Sequence, residues 1–225
     1  VFLIVMEDVA GETPEGALEG DGGLDLPRAL DYTVQIGNAV DHAHKQGVIH
    51  RDLRPANVLV SESGMLKVAD FGTSRFLEIA AHGTTVIGSP AFMAPEQFQG
   101  KAVFASDLYS VGITMYQMLT GELPYEPPPP SGLHKLLTGE LVAPPRSRNP
   151  AIPRRLNDIV MKALAPQVTD RYTRAQDLLD DLLAAKSVIL GTPGPRAIAD
   201  LGLDEVRPAR PAMPPPPRAV KYQDR

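Results

Sequence analysis

The sequence predicts an α+β fold that is mainly helical and carries short β-hairpins. Apolar residues recur at helical spacing over residues 29–43, and a second helical pattern over 106–121 is apolar on nearly every face. A helix of the second kind belongs in a protein interior. Between the two helices, short apolar runs at 58–60 and 65–68 flank a Ser-Glu-Ser-Gly turn, which is typical of a β-hairpin.

The start of the first helix is marked in the sequence, and further helices are predicted after the second. Pro27 suits the first turn of the helix that contains residues 29–43, and a connector rich in Gly and Glu, residues 10–23, precedes it. Later apolar patterns predict three more helices, at 133–137, 154–165 and 174–186. Thr173 with Gln176 three residues on has the pattern of a capping box for the last of these helices.

The composition changes after the last predicted helix. Pro, Arg, Ala and Gly dominate from about residue 191, and four consecutive prolines occupy 214–217. Such a segment cannot bury enough apolar surface to fold and favours extended polyproline structure. We therefore predict a folded domain over residues 1–186 and a disordered linker over 187–225.

The overall composition excludes several classes of function. The 225 residues include no cysteine, which rules out disulfides, cysteine-ligated zinc and a cysteine nucleophile. A net charge of −5 gives no basic footprint for nucleic acid, so no nucleic-acid partner is expected. No apolar run reaches the roughly 18–20 residues that a bilayer span needs. Membrane anchoring is therefore expected only through segments outside this chain.

Two neighbouring segments carry side chains suited to phosphoryl transfer. The string His-Arg-Asp-Leu-Arg-Pro-Ala-Asn occupies residues 50–57, and Asp-Phe-Gly follows the predicted hairpin at 70–72. Carboxylate and amide oxygens are the hard ligands that magnesium prefers, and a carboxylate can also accept a proton from a hydroxyl. Asp52, Asn57 and Asp70 fit this set once folding brings them together.

These strings resemble the signature of eukaryotic-type Ser/Thr protein kinases, as found in bacterial members. The resemblance covers about residues 1–186 with five motifs in the family order. Ala-Pro-Glu at 94–96 is similar to the end of the activation segment. Residues 88–96 are similar to the substrate-docking loop in the form that Ser/Thr kinases have. Residues 106–112 are similar to the start of the buried central helix, and Asp-Arg-Tyr at 170–172 to a late arginine motif.

The resemblance implies a role for each matching residue. Asp52 would accept the substrate proton beside Arg54, which replaces the usual lysine, and Asn57 and Asp70 would bind Mg²⁺. His50 and Phe71 would support the loop structurally, and Asp107 would brace the backbone of the catalytic loop. Glu96 would form a buried ion pair with Arg171.

Arg51 would bind a phosphate on the activation segment, for which Thr84 and Thr85 are the candidate acceptors. The residues that would contact ATP are Met6, Glu7 and Val9 at the hinge, Leu59 beneath the adenine, and Asp70.

One part of the family pattern is missing from this sequence. No Gly-rich loop precedes the predicted hinge. No lysine precedes Lys45, so the lysine that binds the α- and β-phosphates in the family is missing. Residues 1–6 form an apolar, strand-like run, so the chain opens inside a core strand. The expectation is a kinase-like C-terminal lobe without its N-terminal lobe, inactive as a fragment on its own.

Three functions remain open at this point. The first is a cytoplasmic Ser/Thr kinase that transfers the γ-phosphate of ATP to protein substrates. The second is a non-catalytic, kinase-like interaction module, against which the intact Asp52, Asn57 and Asp70 argue. The third is a small-molecule phosphotransferase of the aminoglycoside-kinase type. Such enzymes share the His-x-Asp-x-x-x-x-Asn loop but lack the Ala-Pro-Glu segment.

Overall fold

A computed structural model describes residues 11–21, 23–71 and 89–191 of the protein. The predicted hinge residues Met6, Glu7 and Val9 lie outside these ranges, as do Thr84 and Thr85. Most of the predicted linker, residues 192–225, also lies outside them.

The described residues form a helical body with one small sheet, as the sequence predicts. The helices are α1 (Pro14–Asp21), α2 (Leu26–Lys45), α3 (Phe104–Thr120), α4 (Leu133–Thr138), α5 (Pro145–Arg148), α6 (Arg154–Ala163) and α7 (Ala175–Leu190). The strands are β1 (Gly11–Glu12), β2 (Val58–Ser61) and β3 (Leu66–Val68). Within the described ranges, no helix combines the length and the apolarity that a membrane crossing requires.

The sheet is antiparallel in the order β1-β2-β3. Strands β2 and β3 form the predicted hairpin, in a register that pairs Leu59 with Lys67 and Val60 with Leu66. Strand β1 and helix α1 were not predicted, because the Gly- and Glu-rich composition of residues 10–23 indicated a connector. Leu18 is buried, so one apolar side chain anchors α1 to the core in spite of that composition.

Helix α2 precedes the segment 50–57 that carries Asp52 and Asn57, and both helix ends follow from local sequence. Asp25 caps the N-terminus by accepting a bond of 2.8 Å from the backbone N–H of Arg28, and Pro27 lies in the first turn. Gly47 follows the helix with φ of 74°, a left-handed conformation that glycine adopts without strain.

Helix α3 is the centre of the fold. Its residues from Ala105 to Tyr116 are all buried, polar ones included, as its all-round apolar pattern predicts. The helix packs on α2 and α6. At Gly112 a β-carbon would lie 2.8 Å from the Ala163 side chain of α6, so the two backbones approach more closely than alanine permits.

Helix α7 differs from its prediction at both ends. The predicted capping box is wrong, since Arg174 is the N-cap residue and its side chain makes no capping bond. Gln176 instead donates to Asp180 one turn further on, at 2.9 Å. The helix continues to Leu190, so residues 187–190, assigned above to the linker, are helical. Partly buried Ile189 packs against the core and supports this extension.

The close approach of α3 and α6 gives a stability prediction. Gly112→Ala should lower the free energy of unfolding by about 1–3 kcal/mol, because the added methyl group overpacks a rigid contact. Urea denaturation followed by circular dichroism measures this change. Gly16→Ala is the matched control, since a β-carbon at that position would meet no atom within 4 Å and should stabilise α1 by up to about 1 kcal/mol. Equal stability of the Gly112→Ala variant and the wild type would contradict the packing argument.

Candidate active site

The catalytic loop, residues 50–57, connects α2 to β2 and folds back on itself. The side-chain nitrogen of Asn57 donates to the backbone oxygen of Asp52 at 2.7 Å and to its Oδ2 at 3.2 Å. These bonds fix the Asp52 carboxylate relative to the start of the hairpin. Because the amide nitrogen of Asn57 is committed in this way, its amide oxygen is left available as a ligand.

Asp70 is brought to the same loop by the end of the hairpin. The N–H of Ala69 donates to the backbone oxygen of Asn57 at 2.8 Å, and His50 Nε2 donates to the Ala69 oxygen at 2.9 Å. The Phe71 ring lies 4.6 Å from the His50 ring, centroid to centroid. His50 and Phe71 therefore hold the position of Asp70, whose φ of 63° is left-handed.

The oxygen donors of this site fit a magnesium ion. Among the described residues no three His, Cys, Asp or Glu side chains are grouped as a metal-binding cluster. Magnesium in phosphoryl-transfer sites needs only one or two protein carboxylates, because substrate phosphates and waters complete its shell. The Asp70 carboxylate and the Asn57 amide oxygen supply hard donors of this kind, whereas a zinc site would require more nitrogen or sulfur ligands.

The buried carboxylate of Asp107 on α3 braces the catalytic loop. Its Oδ2 accepts from the backbone N–H of His50 at 2.9 Å, and its Oδ1 from that of Arg51 at 2.8 Å. His44 Nε2 lies 2.8 Å from the same Oδ2. Arg51 has φ of 73°, which costs a non-glycine residue on the order of 1–2 kcal/mol. Asp107 thus holds the loop in a conformation that it would not adopt alone.

The contribution of His44 was not foreseen, because the sequence shows only a histidine near the end of α2 without a metal-ligand grouping. The side chain is 9% exposed, and its ring also packs on Phe104 at 4.7 Å between centroids. Its spacing to Asp107 along the chain carries no signal, so only the packing of α2 on α3 reveals the contact.

Glu96 and Arg171 form the ion pair that the resemblance implies. Two guanidinium nitrogens donate to the two carboxylate oxygens at 2.8 and 2.7 Å, and Ser106 Oγ donates to Oε1 at 2.6 Å. The Arg171 side chain is fully buried. It also donates to the backbone oxygen of Pro166, and its guanidinium carbon lies 4.8 Å from the ring centroid of Tyr109. The pair fastens the end of the activation segment to the helical body.

Burial alone would raise the pKa of Glu96. The hydrogen bonds from Arg171 and Ser106 outweigh burial, so the pKa of this carboxyl lies below its ordinary value.

Gln97 is a second residue that sequence reasoning missed. Its Oε1 accepts from the Ala94 N–H and its Nε2 donates to the Arg51 oxygen, both at 2.8 Å. Gln97 therefore joins the Ala-Pro-Glu segment directly to the catalytic loop. The sequence predicts no burial for this position, yet the residue is 4% exposed, and a buried amide requires such partners.

The remaining predicted residues lie around this centre with looser geometry. Arg54 Nε is 3.9 Å from Asp52 Oδ2, too long for a hydrogen bond. The Nε atoms of Arg51 and Arg54 are both buried, and within the described part of the chain neither has a hydrogen-bond partner. Leu59 is half-buried on β2.

The arrangement of fold and site is that of a protein kinase, and sequence comparison agrees. The protein kinase domain model matches residues 1–183, so the chain belongs to this family.

Its relatives include bacterial Ser/Thr protein kinases. A probable serine/threonine-protein kinase of Clostridium perfringens is 37% identical over 185 residues, which cover 81% of this chain and 27% of the relative. PknB of Mycolicibacterium smegmatis is 36% identical over 185 residues, covering 80% and 30%. PrkC of Bacillus subtilis is 34% identical over 189 residues, covering 82% and 29%. The chain thus spans less than a third of the length of these relatives.

The ion pair gives a pH-dependent prediction. Glu96→Gln should lower the free energy of unfolding by about 3 kcal/mol at pH 7, because the buried Arg171 loses its counter-charge while the amide oxygen still accepts one bond. Since folding lowers the pKa of Glu96, its contribution is complete above the ordinary value of 4.5 and is lost as pH falls below it. The difference between wild type and variant should therefore shrink in that range.

Urea denaturation at a series of pH values from 3 to 7 measures this difference. Asp158→Asn, which removes an exposed carboxylate on α6, is the control and should leave the stability nearly unchanged at every pH. A Glu96→Gln effect of the same size at pH 3 and pH 7 would refute the assignment.

Proposed function

We propose that this chain is the catalytic-loop part of a Ser/Thr protein kinase that transfers the γ-phosphate of ATP to protein hydroxyls. The observation that carries the proposal is the loop in which Asn57 holds Asp52 while Asp107 fixes the backbone before it. The family generally uses ATP and Mg²⁺. Asn57 is bonded to Asp52 and to Ala69, which directly precedes Asp70, and the presence of all three functional side chains favours an enzyme over a non-catalytic module.

Each residue of the loop has a part in the proposed reaction. The oxygen of the substrate hydroxyl attacks the γ-phosphorus, and the bond from that phosphorus to the ADP oxygen breaks. Asp52 accepts the proton that the hydroxyl loses. Asn57 and Asp70 would hold a magnesium ion, which would supply neutralisation of the phosphate charge. Arg54 lies beside Asp52 and supplies positive charge near the transferred group.

The substrate class and location extend this proposal. The names of the relatives support Ser and Thr as acceptors, as do residues 88–96, the Ser/Thr form of the docking loop. We place the protein in the cytoplasm, where ATP is available as the phosphate donor.

The first test is a phosphotransfer assay. In protein kinases a lysine of the N-terminal lobe binds the ATP phosphates, and no lysine precedes Lys45 in residues 1–225. For the assay these residues are therefore fused behind the N-terminal lobe of the Clostridium perfringens relative. We expect the fusion to phosphorylate Ser or Thr of a protein substrate with magnesium-ATP. Asp52→Asn should lower kcat by about 10²–10⁴-fold, the usual effect of losing a positioned general base.

The exposed Asp158→Asn provides a control that should retain wild-type turnover. Label found only on tyrosine or on a small molecule, or full turnover in the Asp52→Asn variant, would rule out the proposed reaction.

Regulation by phosphorylation at Thr84 or Thr85 is the second expectation. Arg51 has a buried Nε without a partner among the described residues and directly precedes Asp52, so a phosphate bound there would also fix the loop. A phosphate adds about −1.5 to −2 charges and can form one to three charge-assisted bonds to arginine. We expect mass spectrometry of the active fusion to find phosphate on one of these threonines.

Replacing both threonines by alanine should lower the activity of the fusion, whereas Thr138→Ala, on the exposed end of α4, should not. Absence of phosphate from both threonines, or full activity of the double variant, would contradict this mode of regulation.

A further inference from the structure

The side chain of Gln35 on α2 binds the turn end of the β2–β3 hairpin. Its Oε1 accepts from the backbone N–H of Leu66 at 2.9 Å, and its Nε2 lies 3.3 Å from the backbone oxygen of Gly64. Among the described strands, β3 is at the edge of the sheet, and the Leu66 N–H points away from β2. Gln35 thus supplies an acceptor for an edge group that the sheet cannot pair.

The amide of Gln35 is itself held in place. Its Nε2 donates to Asp31 Oδ2 at 2.9 Å, and the other oxygen of Asp31 accepts from Lys186 Nζ on α7, also at 2.9 Å. The hydrogen bond from Lys186 lowers the pKa of Asp31, so this carboxylate is charged at neutral pH. A charged acceptor on one side fixes which atom of the Gln35 amide faces the hairpin.

The two ends of the hairpin are therefore fastened by different residues. At the end near Asp70, Ala69 is bonded to Asn57 and His50 of the catalytic loop. At the turn end, Gln35 bonds Leu66, which neighbours Lys67, the register partner of Leu59. Loosening Gln35 should therefore disturb Leu59 and leave Asp70 in place.

We propose that Gln35 is a positioning residue for nucleotide binding, which acts by fixing the hairpin that presents Leu59 to the adenine ring. Asp31 and Lys186 support it from the side of α7. This inference rests on the proposed function, because Leu59 contacts adenine only in a nucleotide-binding enzyme.

Two measurements test this role. In the 225-residue chain, Gln35→Met, which removes both polar atoms and keeps the side-chain length, should raise the amide exchange rate of Leu66 about tenfold or more. In the fusion with the N-terminal lobe, it should raise KM for ATP about three- to tenfold and leave kcat within about twofold. A tenfold change corresponds to about 1.4 kcal/mol, the net worth of one or two hydrogen bonds.

An exchange of the two hydrogen-bonding partners separates this role from general destabilisation. Gln35→Glu keeps the acceptor for Leu66 but faces the Asp31 carboxylate, so KM should rise. Asp31→Asn added to it restores a donor–acceptor pair and should return KM towards the wild-type value. Lys186→Met should have a smaller effect, since its ion pair is partly exposed. Asn38→Met, at an exposed position of α2, is the matched control and should change neither quantity.

The outcomes distinguish this inference from the proposed function. A wild-type fusion without phosphotransfer would overturn the proposed function and with it the nucleotide role of Gln35. An active fusion in which Gln35→Met leaves KM and the Leu66 exchange rate unchanged would overturn the role of Gln35 alone. A fall in kcat with constant KM would also overturn it, because Asp70 rather than Leu59 would then be the affected residue.

Discussion

The candidate site depends on one buried carboxylate, that of Asp107. It lies on the most buried of the described helices and accepts two consecutive backbone N–H groups of the catalytic loop. Removing these acceptors would leave two donors without partners, at about 1–3 kcal/mol for each buried group. The loop therefore derives its shape from the helical core, and its position relative to α3 is as rigid as the packing of that helix.

Arg51 shows why such bracing is needed. Its left-handed backbone is unfavourable for an arginine, yet both of its peptide groups are fixed, the N–H by Asp107 and the oxygen by Gln97. Gln97 in turn follows Glu96, whose ion pair with Arg171 fastens the same segment to the helical body. The strained residue is thus held from the core on one side and from the end of the activation segment on the other. Because Arg51 directly precedes Asp52, a movement of that segment would shift Asp52 through Arg51 alone.

The sequence predicted those features whose signal is local or belongs to a motif. Helices α2 and α3 follow from apolar spacing, the β2–β3 hairpin from its turn, and the pairing of Glu96 with Arg171 from the family pattern. It did not predict His44, Gln97 or Gln35. These side chains act by bonding groups far along the chain, and such distant partners leave no mark in the local sequence. The capping box at Thr173 failed for a different, local reason, since Gln176 donates instead to Asp180, one turn further along the helix.

The hairpin illustrates how separate demands on one element lead to separate supports. Under the proposed function, Asp70 is a metal ligand and must be placed within about 0.5 Å. The residue before it, Ala69, is bonded to the catalytic loop itself. Under the same proposal, Leu59 is an apolar floor beneath the adenine, and a contact spread over such a surface tolerates somewhat more movement. Its support comes from α2 through a neutral amide, and beyond it from a partly exposed ion pair on α7. The stricter requirement of the proposed function is thus met by the shorter connection, and the looser one by a chain of bonds that reaches α7.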